Sequence, residues 1–298
     1  MVEITFLGTS QAIPTKEKNQ ASILLKYGAE NILIDCGEGT QRQFRILGLN
    51  ACKITKILIT HWHGDHILGL PGLLQTLALS NYSRTLEIYG PIGTKYYMKK
   101  MMELFIFREK LKVEIHELSN GIFFETKEFR LEALKMRHPA PCLAYNFTEK
   151  TRYRIDMTKL NKIGIKPGPI LKELQQGKNI DFQGKKIDAK KFTKEVLGKK
   201  ISFILDTAIN ENCYKIAENS DVLIAEACFS KLEENLAKER EHLTAEQIAD
   251  VAKKSKVKKL FLMHISQRYD RREKIILDEA KKIFKNSELA KDFMKLEI

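Results

Sequence analysis

Apolar and polar positions alternate from the first residues. Val2, Ile4 and Phe6 share one face of an extended 2–7 segment, which is the two-residue period of a half-buried strand. The same reading predicts strands at 23–27 and 31–35, linked as a hairpin through Gly28-Ala29-Glu30, and a buried apolar run at 57–60. A helix is expected at 67–80, interrupted early by Pro71-Gly72, and another at about 93–106. Strands are expected at 86–89, 112–118, 122–125, 129–137 and 143–147. After residue 200 the pattern resumes with strands at 201–205, 221–226 and 259–263 and helices at 211–219, 245–255 and 271–285. Thr244 with Gln247 three residues on makes a capping box for the helix at 245–255. Polar residues stand at the strand ends in both halves, so the pattern predicts two β-rich sheets sandwiched between helices.

Residues 148–200 break that pattern. They hold Gly164, Pro167, Gly168, Pro169, Gly177, Gly184 and Gly198, many charges, and one clear helical segment near 169–176. Such a stretch reads as an inserted arm rather than core.

Composition narrows the class. A chain of 298 residues with 43% hydrophobic positions can bury a large α/β core. No apolar run approaches the roughly 18 residues of a membrane span, and the amino terminus lacks a basic-then-apolar leader pattern. A cytoplasmic protein with no membrane partner is the simplest expectation. Cys36, Cys52, Cys142, Cys213 and Cys228 are odd in number and never form Cys-x-x-Cys, so buried free thiols are expected. The net charge of +13 is uneven, because residues 148–200 carry 15 Lys or Arg against 6 Asp or Glu, +9 of the total. Concentrated positive charge is the footprint of a polyanion partner, although a merely solvated lysine-rich surface fits as well.

The chemistry concentrates at 61–66, His61-Trp62-His63-Gly64-Asp65-His66, directly after the apolar run. A turn leaving a strand lets His61, His63, Asp65 and His66 converge, and imidazoles with a carboxylate suit zinc, or manganese in a more oxygen-rich site. His138, Asp206 and His264 each follow an apolar strand, where edge loops meet in a crevice. Together these five His and two Asp match the needs of two adjacent metal ions: His61, His63 and His138 on one, Asp65, His66 and His264 on the other, Asp206 bridging. His116, inside an alternating strand, is expected to be structural.

This signature resembles the metallo-β-lactamase superfamily, which implies an αββα sandwich with a binuclear metal site at its edge. Several further stretches are similar to the ribonuclease Z family: Gly8-Thr9-Ser10 through Pro14-Thr15, residues 35–41 (Asp-Cys-Gly-Glu-Gly-Thr-Gln), Leu70-Pro71-Gly72-Leu73-Leu74, His242-Leu243-Thr244-Ala245, and 264–269 (His-Ile-Ser-Gln-Arg-Tyr). The resemblance covers nearly the whole chain. It implies a single domain over 1–298 with two zinc ions per subunit, manganese being possible in their place. The implied reaction removes the 3′ trailer from precursor tRNA near the discriminator base, leaving a tRNA 3′-hydroxyl and a trailer 5′-phosphate.

The same resemblance implies residue roles. Asp65 ligates a metal and also accepts the proton of the attacking water. His242 is the candidate general acid. Glu226 either orients His242 or is a strand-end carboxylate facing solvent. Ser266 and Arg268 suit a grip on the scissile phosphate, with pairing of Arg268 to a nearby carboxylate as the alternative. Thr9 and Ser10 either line the site or satisfy local turn backbone. Residues 148–200 become a protruding tRNA-gripping arm whose Gly164, Lys166, Pro167, Gly168 and Pro169 match a Gly-Pro motif, and a homodimer is implied. The competing readings are a broader binuclear-metal phosphodiesterase or small-molecule hydrolase of the same fold, and a non-catalytic RNA-binding relative.

Overall fold

A computed structural model describes residues 1–106 and 111–298. The first sheet takes β1 (Val2–Gly8), β2 (Ser22–Tyr27), β3 (Glu30–Ile34), β4 (Lys56–Leu58), β5 (Leu86–Gly90) and β6 (Val113–Glu117). The second takes β7 (Gly121–Glu125), β8 (Phe129–Met136) and β9 (Cys142–Glu149). Four short strands then lie outside both sheets: β10 (Arg152–Ile155), β11 (Ile180–Phe182), β12 (Lys185–Ile187) and β13 (Thr193–Val196). The second sheet is completed by β14 (Lys200–Ile204), β15 (Val222–Glu226), β16 (Lys259–Met263) and β17 (Ser287–Leu289), while β18 (Lys295–Glu297) returns to the edge of the first beside β1. Spatial order is β18-β1-β2-β3-β4-β5-β6 in one sheet and β17-β16-β15-β14-β9-β8-β7 in the other.

The sheets pack face to face. Inward residues of both, among them Phe6, Tyr145, Phe147, Phe203, Ile224 and Phe261, form one buried cluster. Each outer face carries helices. Over the first sheet, α1 (Thr40–Ile46), α3 (Leu70–Leu79) and α4 (Thr94–Leu104) bury Phe44, Leu73, Leu77 and Met98 against Leu33, Ile57 and Ile88. Over the second, α8 (Glu211–Ala217), α10 (Ala245–Lys254) and α11 (Lys274–Ile283) bury Ile216, Ile248, Val251 and Ile276 against Leu223, Leu260 and Leu262. The expected αββα sandwich is the fold of this chain.

Strand direction is what positions the chemistry. β3, β4, β5 and β6 run parallel, as do β14, β15, β16 and β17, so their carboxyl ends gather along one edge of the sandwich. Two bonds tie the sheets together there: Tyr145 Oη donates to the Ile59 carbonyl at 2.6 Å, and Leu143 N–H to the Thr60 carbonyl at 2.9 Å.

Differences from the sequence expectation are local. The helix expected at 67–80 is two helices, α2 (Gly64–Ile67) and α3, so Asp65 and His66 occupy a helical turn rather than an open one. Pro71 does not break α3; it sits at the helix start, where its missing N–H has no intrahelical partner to lose. The seven-residue α1, the six-residue α9 (Glu234–Glu239) and the three-residue β17 and β18 had too little pattern to be seen. The thiols are free, and Cys52 is only half-buried.

Residues 150–199 leave the second sheet after β9 and return to it at β14, and these two strands pair directly. The segment holds more structure than its composition indicated. β10 pairs with β13 and β11 with β12, and α5 (Met157–Lys162), α6 (Leu171–Gln175) and α7 (Ala189–Phe192) lie between them. Leu160, Ile165, Leu174, Ile180, Ile187 and Ala189 form its own small core.

Glycine fixes one contact on which the site edge rests. Gly69 N–H donates to the Cys36 carbonyl at 2.9 Å, and Cys36 N–H to the His66 carbonyl at 2.8 Å, so α2 is strapped to the loop after β3. A Cβ on Gly69 would stand 2.1 Å from the Gly37 carbonyl oxygen. Gly69→Ala is therefore expected to cost about 1–3 kcal/mol through forced separation of these backbones. The midpoint of urea denaturation measures this, and an unchanged midpoint would show that the strap yields freely.

Candidate functional site

Each candidate side chain stands at or just past a strand end on the shared edge. His61 follows β4 through Ile59 and Thr60, Asp206 follows β14, Glu226 closes β15 and His264 follows β16. His138 lies in the turn between β8 and β9, with its Nδ1 3.2 Å from the Glu241 carbonyl. His264 takes a left-handed backbone (φ 53°), and its N–H donates to the Thr9 carbonyl at 2.9 Å.

A residue the sequence reading left without a role underlies this arrangement. Asp35 directly follows β3 in a left-handed conformation (φ 55°) and is fully buried. Its Oδ1 accepts from Thr60 N–H at 2.7 Å, and its Oδ2 from Thr60 Oγ1 at 2.7 Å and from His66 Nδ1 at 2.6 Å. With Nδ1 held there, His66 turns its Nε2 into the cluster, and the Thr60 hydroxyl meets His61 Nδ1 at 3.1 Å. The available signal was positional: Asp35 stands at the end of a buried parallel strand, as Glu226 does.

The structure brings all seven expected ligands together in two groups. His61, His63, His138 and Asp206 place one donor atom each within 4.8 Å of the others, and so do Asp65, His66, Asp206 and His264. Asp206 belongs to both. Within the first, His138 Nε2 lies 3.1 Å from His63 Nδ1 and His61 Nε2 lies 3.6 Å from Asp206 Oδ2. Within the second, His66 Nε2 is 3.1 Å from His264 Nε2 and 3.4 Å from both Asp65 Oδ2 and Asp206 Oδ1. Two nitrogens bound by one tetrahedral zinc lie about 3.3 Å apart given bonds of about 2.0–2.1 Å, so the spacing fits ligands closing on an ion.

Unsatisfied atoms point the same way. His61 Nε2, Asp206 Oδ1 and His264 Nδ1 are buried without a hydrogen-bond partner. Each such atom costs about 1–3 kcal/mol, and three of them converge on one cluster of imidazoles and carboxylates. They belong to two groups whose imidazole and carboxylate donors suit divalent cations.

Charge in the cluster is strongly biased. Burial and the neighbouring His66 push His61 well below the usual imidazole range. Burial also lowers His138. Burial opposes protonation of His66, yet the Asp206 and Asp35 carboxylates outweigh it and carry it well above that range. Burial opposes ionisation of Asp65 and Asp206 too, but the surrounding imidazoles, His264 foremost, hold both well below ordinary carboxylates. Asp65 Oδ2 also accepts from Ala12 N–H at 2.9 Å.

Beside these groups, His242 and Glu226 form a pair. Glu226 is buried, its Oε1 accepts from Thr207 N–H at 2.6 Å, and its Oε2 lies 2.9 Å from His242 Nδ1. The His242 ring centroid is 5.4 Å from that of His138 and 6.0 Å from that of His264. Burial works to lower His242, but the Glu226 carboxylate raises it to about 9.

The remaining candidates lie around this centre. Thr9 Oγ1 donates to Asp292 at 2.7 Å, and Ser10 Oγ to the Ile13 carbonyl at 2.7 Å, so both hydroxyls serve neighbouring groups. Ser266 follows His264 by two residues and its N–H donates to the Cys228 carbonyl at 3.1 Å. Arg268 pairs with Glu233, which Tyr269 Oη also contacts. Gly164, Lys166, Pro167, Gly168 and Pro169 lie exposed between α5 and α6, away from the strand-end edge in sequence. His116 stacks on Tyr89 at 4.7 Å on the β5–β6 edge and does not join the cluster.

Among known proteins, a family model described as "Anti-Pycsar protein Apyc1" matches residues 2–163. Ribonuclease Z of Methanothermobacter thermautotrophicus is 38% identical over 303 residues, covering 100% of this chain and 97% of that protein. Ribonuclease Z of Microcystis aeruginosa is 39% identical over 306 residues, covering 100% and 96%. The crystal structure of human tRNase Z, short form, aligns with a TM-score of 0.73 at 29% identity over 99% of each chain. The metallo-β-lactamase fold protein YhfI from Bacillus subtilis aligns at 0.71 with 19% identity, covering 100% of this chain and 99% of that one, a likeness of fold.

A cation held only by the folded chain adds about 2.7 kcal/mol when present at a hundred times its dissociation constant. Chelation is accordingly expected to lower the melting temperature by several degrees, and Asp206→Asn, which removes charge from both groups, to abolish most of that difference. Superimposable melting curves with and without chelator would argue against a cation in the cluster.

Proposed function

The chain belongs to the ribonuclease Z family, matched from end to end, and over residues 2–163 to the family described as Anti-Pycsar protein Apyc1; on that premise we propose that it is a metal-dependent endoribonuclease that removes the 3′ trailer from precursor tRNA. Cleavage near the discriminator base leaves a tRNA 3′-hydroxyl and a trailer 5′-phosphate. The observation that carries this reading is full-length similarity to proteins named ribonuclease Z, in a chain whose seven His and Asp candidates converge at one strand-end edge.

In this reading His61, His63, His138, Asp65, His66, His264 and Asp206 would hold two zinc ions, or manganese in their place. Bound there, divalent ions supply charge compensation for a phosphodiester and acidify water. The chain's own groups do the rest. Neighbouring His264 and His66 favour the ionised form of Asp65 against burial, and its Oδ1 accepts no hydrogen bond from the described residues, which suits it to take the proton of the attacking water. His242, fixed through Nδ1 by Glu226, keeps Nε2 for donation to the departing 3′ oxygen. Ser266 borders the same edge as a phosphate contact, whereas the Arg268 guanidinium is taken up by Glu233. Glu226 is a positioning residue, and its own anchor is the Thr207 amide.

Residues 148–200 are read as the arm that grips tRNA, with Gly164, Lys166, Pro167, Gly168 and Pro169 at its exposed turn. Its net +9 supports this, because lysines near phosphates release condensed counterions. A cytoplasmic homodimer completes the proposal. Among the described residues no helix is long and apolar enough to cross a membrane.

The direct test is incubation of a trailer-bearing precursor tRNA with the purified protein and zinc or manganese, followed by mapping of both product ends. Cleavage at the discriminator with a 3′-hydroxyl is expected; intact precursor would sink the reading. The acid role carries its own signature. A proton on His242 is required, so kcat/KM is expected to hold through neutral pH and fall as pH rises through about 9. Glu226→Gln removes the carboxylate that raises His242 and should move that falling limb to lower pH. A limb that stays in place would refute the orienting role.

A further inference from the structure

The loop between β1 and β2 carries a strained residue. Ala12 is exposed and takes a left-handed backbone (φ 28°), which an alanine adopts against the crowding of its own Cβ. Both polar groups of its backbone are nonetheless fixed. The Ala12 N–H donates to Asp65 Oδ2 at 2.9 Å, and the Ala12 carbonyl accepts from Gln20 Nε2 at 2.8 Å.

Gln20 is a rigid support for that residue. It is buried, and its Oε1 accepts from Glu38 N–H at 2.9 Å, so both ends of the side-chain amide are engaged. Its backbone sits where two glycines let chains approach closely. A Cβ on Gly8 would stand 1.8 Å from the Gln20 carbonyl oxygen, and one on Gly37 would stand 2.6 Å from Gln20 Cβ. The same Cβ on Gly37 would also stand 2.6 Å from the Asp65 carbonyl oxygen. Gln20 and Asp65 thus flank one glycine, and Ala12 bridges their side chains.

This bridge bears on how Asp65 is presented. A carboxylate turns easily about its last torsion. The other groups on Asp65 are His264 and His66, whose Nε2 atoms lie 3.2 and 3.4 Å from the same Oδ2. Both are candidate metal ligands, so their nitrogens are committed in the reading above. Among the described residues, the Ala12 amide is the hydrogen-bond donor to Asp65 that comes from outside the ligand set. By taking Oδ2 it leaves Oδ1 as the oxygen open to a proton.

We propose that Gln20 is a positioning residue for the hydrolysis. It holds Ala12 in its left-handed turn, and the Ala12 amide fixes the Asp65 carboxylate with Oδ1 left to accept the proton of water. The inference rests on the endoribonuclease reading above, in which Asp65 is the base. A glycine at position 12 would need less support, because it enters the left-handed region without strain.

Two substitutions and one background test this. Gln20→Glu keeps an acceptor for Glu38 N–H but offers Ala12 no donor, and Gln20→Met offers neither and adds no charge. Each is expected to lower kcat on precursor tRNA by about three- to tenfold with KM unchanged, the effect of one neutral hydrogen bond. With Ala12→Gly also in place, the same substitutions should cost less than about twofold. A residue that merely packs would lower the rate by one factor in both backgrounds. The second readout needs no turnover. In protein labelled with 15N-alanine, with zinc and after chelation, the Ala12 amide is identified by its loss in Ala12→Gly. Its hydrogen should exchange about tenfold faster in either Gln20 variant than in the wild type. No loss of kcat, equal losses in the two backgrounds, or unchanged exchange at Ala12 would overturn the proposal while leaving the activity standing. A wild-type protein that cuts no precursor would instead sink the endoribonuclease reading, and the exchange rates alone would then decide whether Gln20 holds Ala12.

Discussion

Asp206 is a carboxylate buried to 3% exposure, and the architecture around the site answers the cost of putting a charge there. An isolated ion in such a place is strongly unfavourable. Here His61, His66 and His264 surround it and hold it ionised. No single element supplies these neighbours. They arrive just after β4 of the first sheet, on α2, and just after β16 of the second, so the parallel runs must end on the same edge before the charge can be tolerated. Asp35 performs the complementary task one layer further in, accepting three hydrogen bonds that fix how His66 enters. Fold and chemistry are thus coupled: the Asp206 carboxylate needs these neighbours, and the neighbours need the shared edge to meet.

Much of this was legible in the chain. The sequence patterns at 2–7, 129–137 and 259–263 correspond to real strands because their side chains alternate between, or bury on, two apolar environments. The 61–66 cluster was legible because donors were dense in sequence. Asp206 and His264 were legible because each followed a strand whose end could be read. Asp35 had the same placement, but its role depends on Thr60 and His66, contacts that only three-dimensional proximity reveals.

The basic segment was misjudged in texture rather than in place. Its strands and helices run from three to six residues, below the length at which periodicity separates from noise. Leu160, Ile165 and Leu174 nevertheless meet in a small core of their own, which keeps the lysines on the outside of an ordered body. Clustered charge on such a body presents a surface with a fixed pattern of potential, whereas the same charges on a loose chain would average their field away.

The return of the chain from this segment bears on how the sheet is assembled. Glu149 N–H meets the Lys199 carbonyl at 2.8 Å, so β9 and β14 pair across everything between them. Closing a flexible stretch of that length costs about 2 kcal/mol more than closing a four-residue turn. The β10–β13 ladder removes most of that difference, because once it zips only residues 150–151 and 197–199 remain outside it. The order of events then matters: a segment that folds early on its own apolar contacts turns two strands far apart in sequence into the legs of a short hairpin.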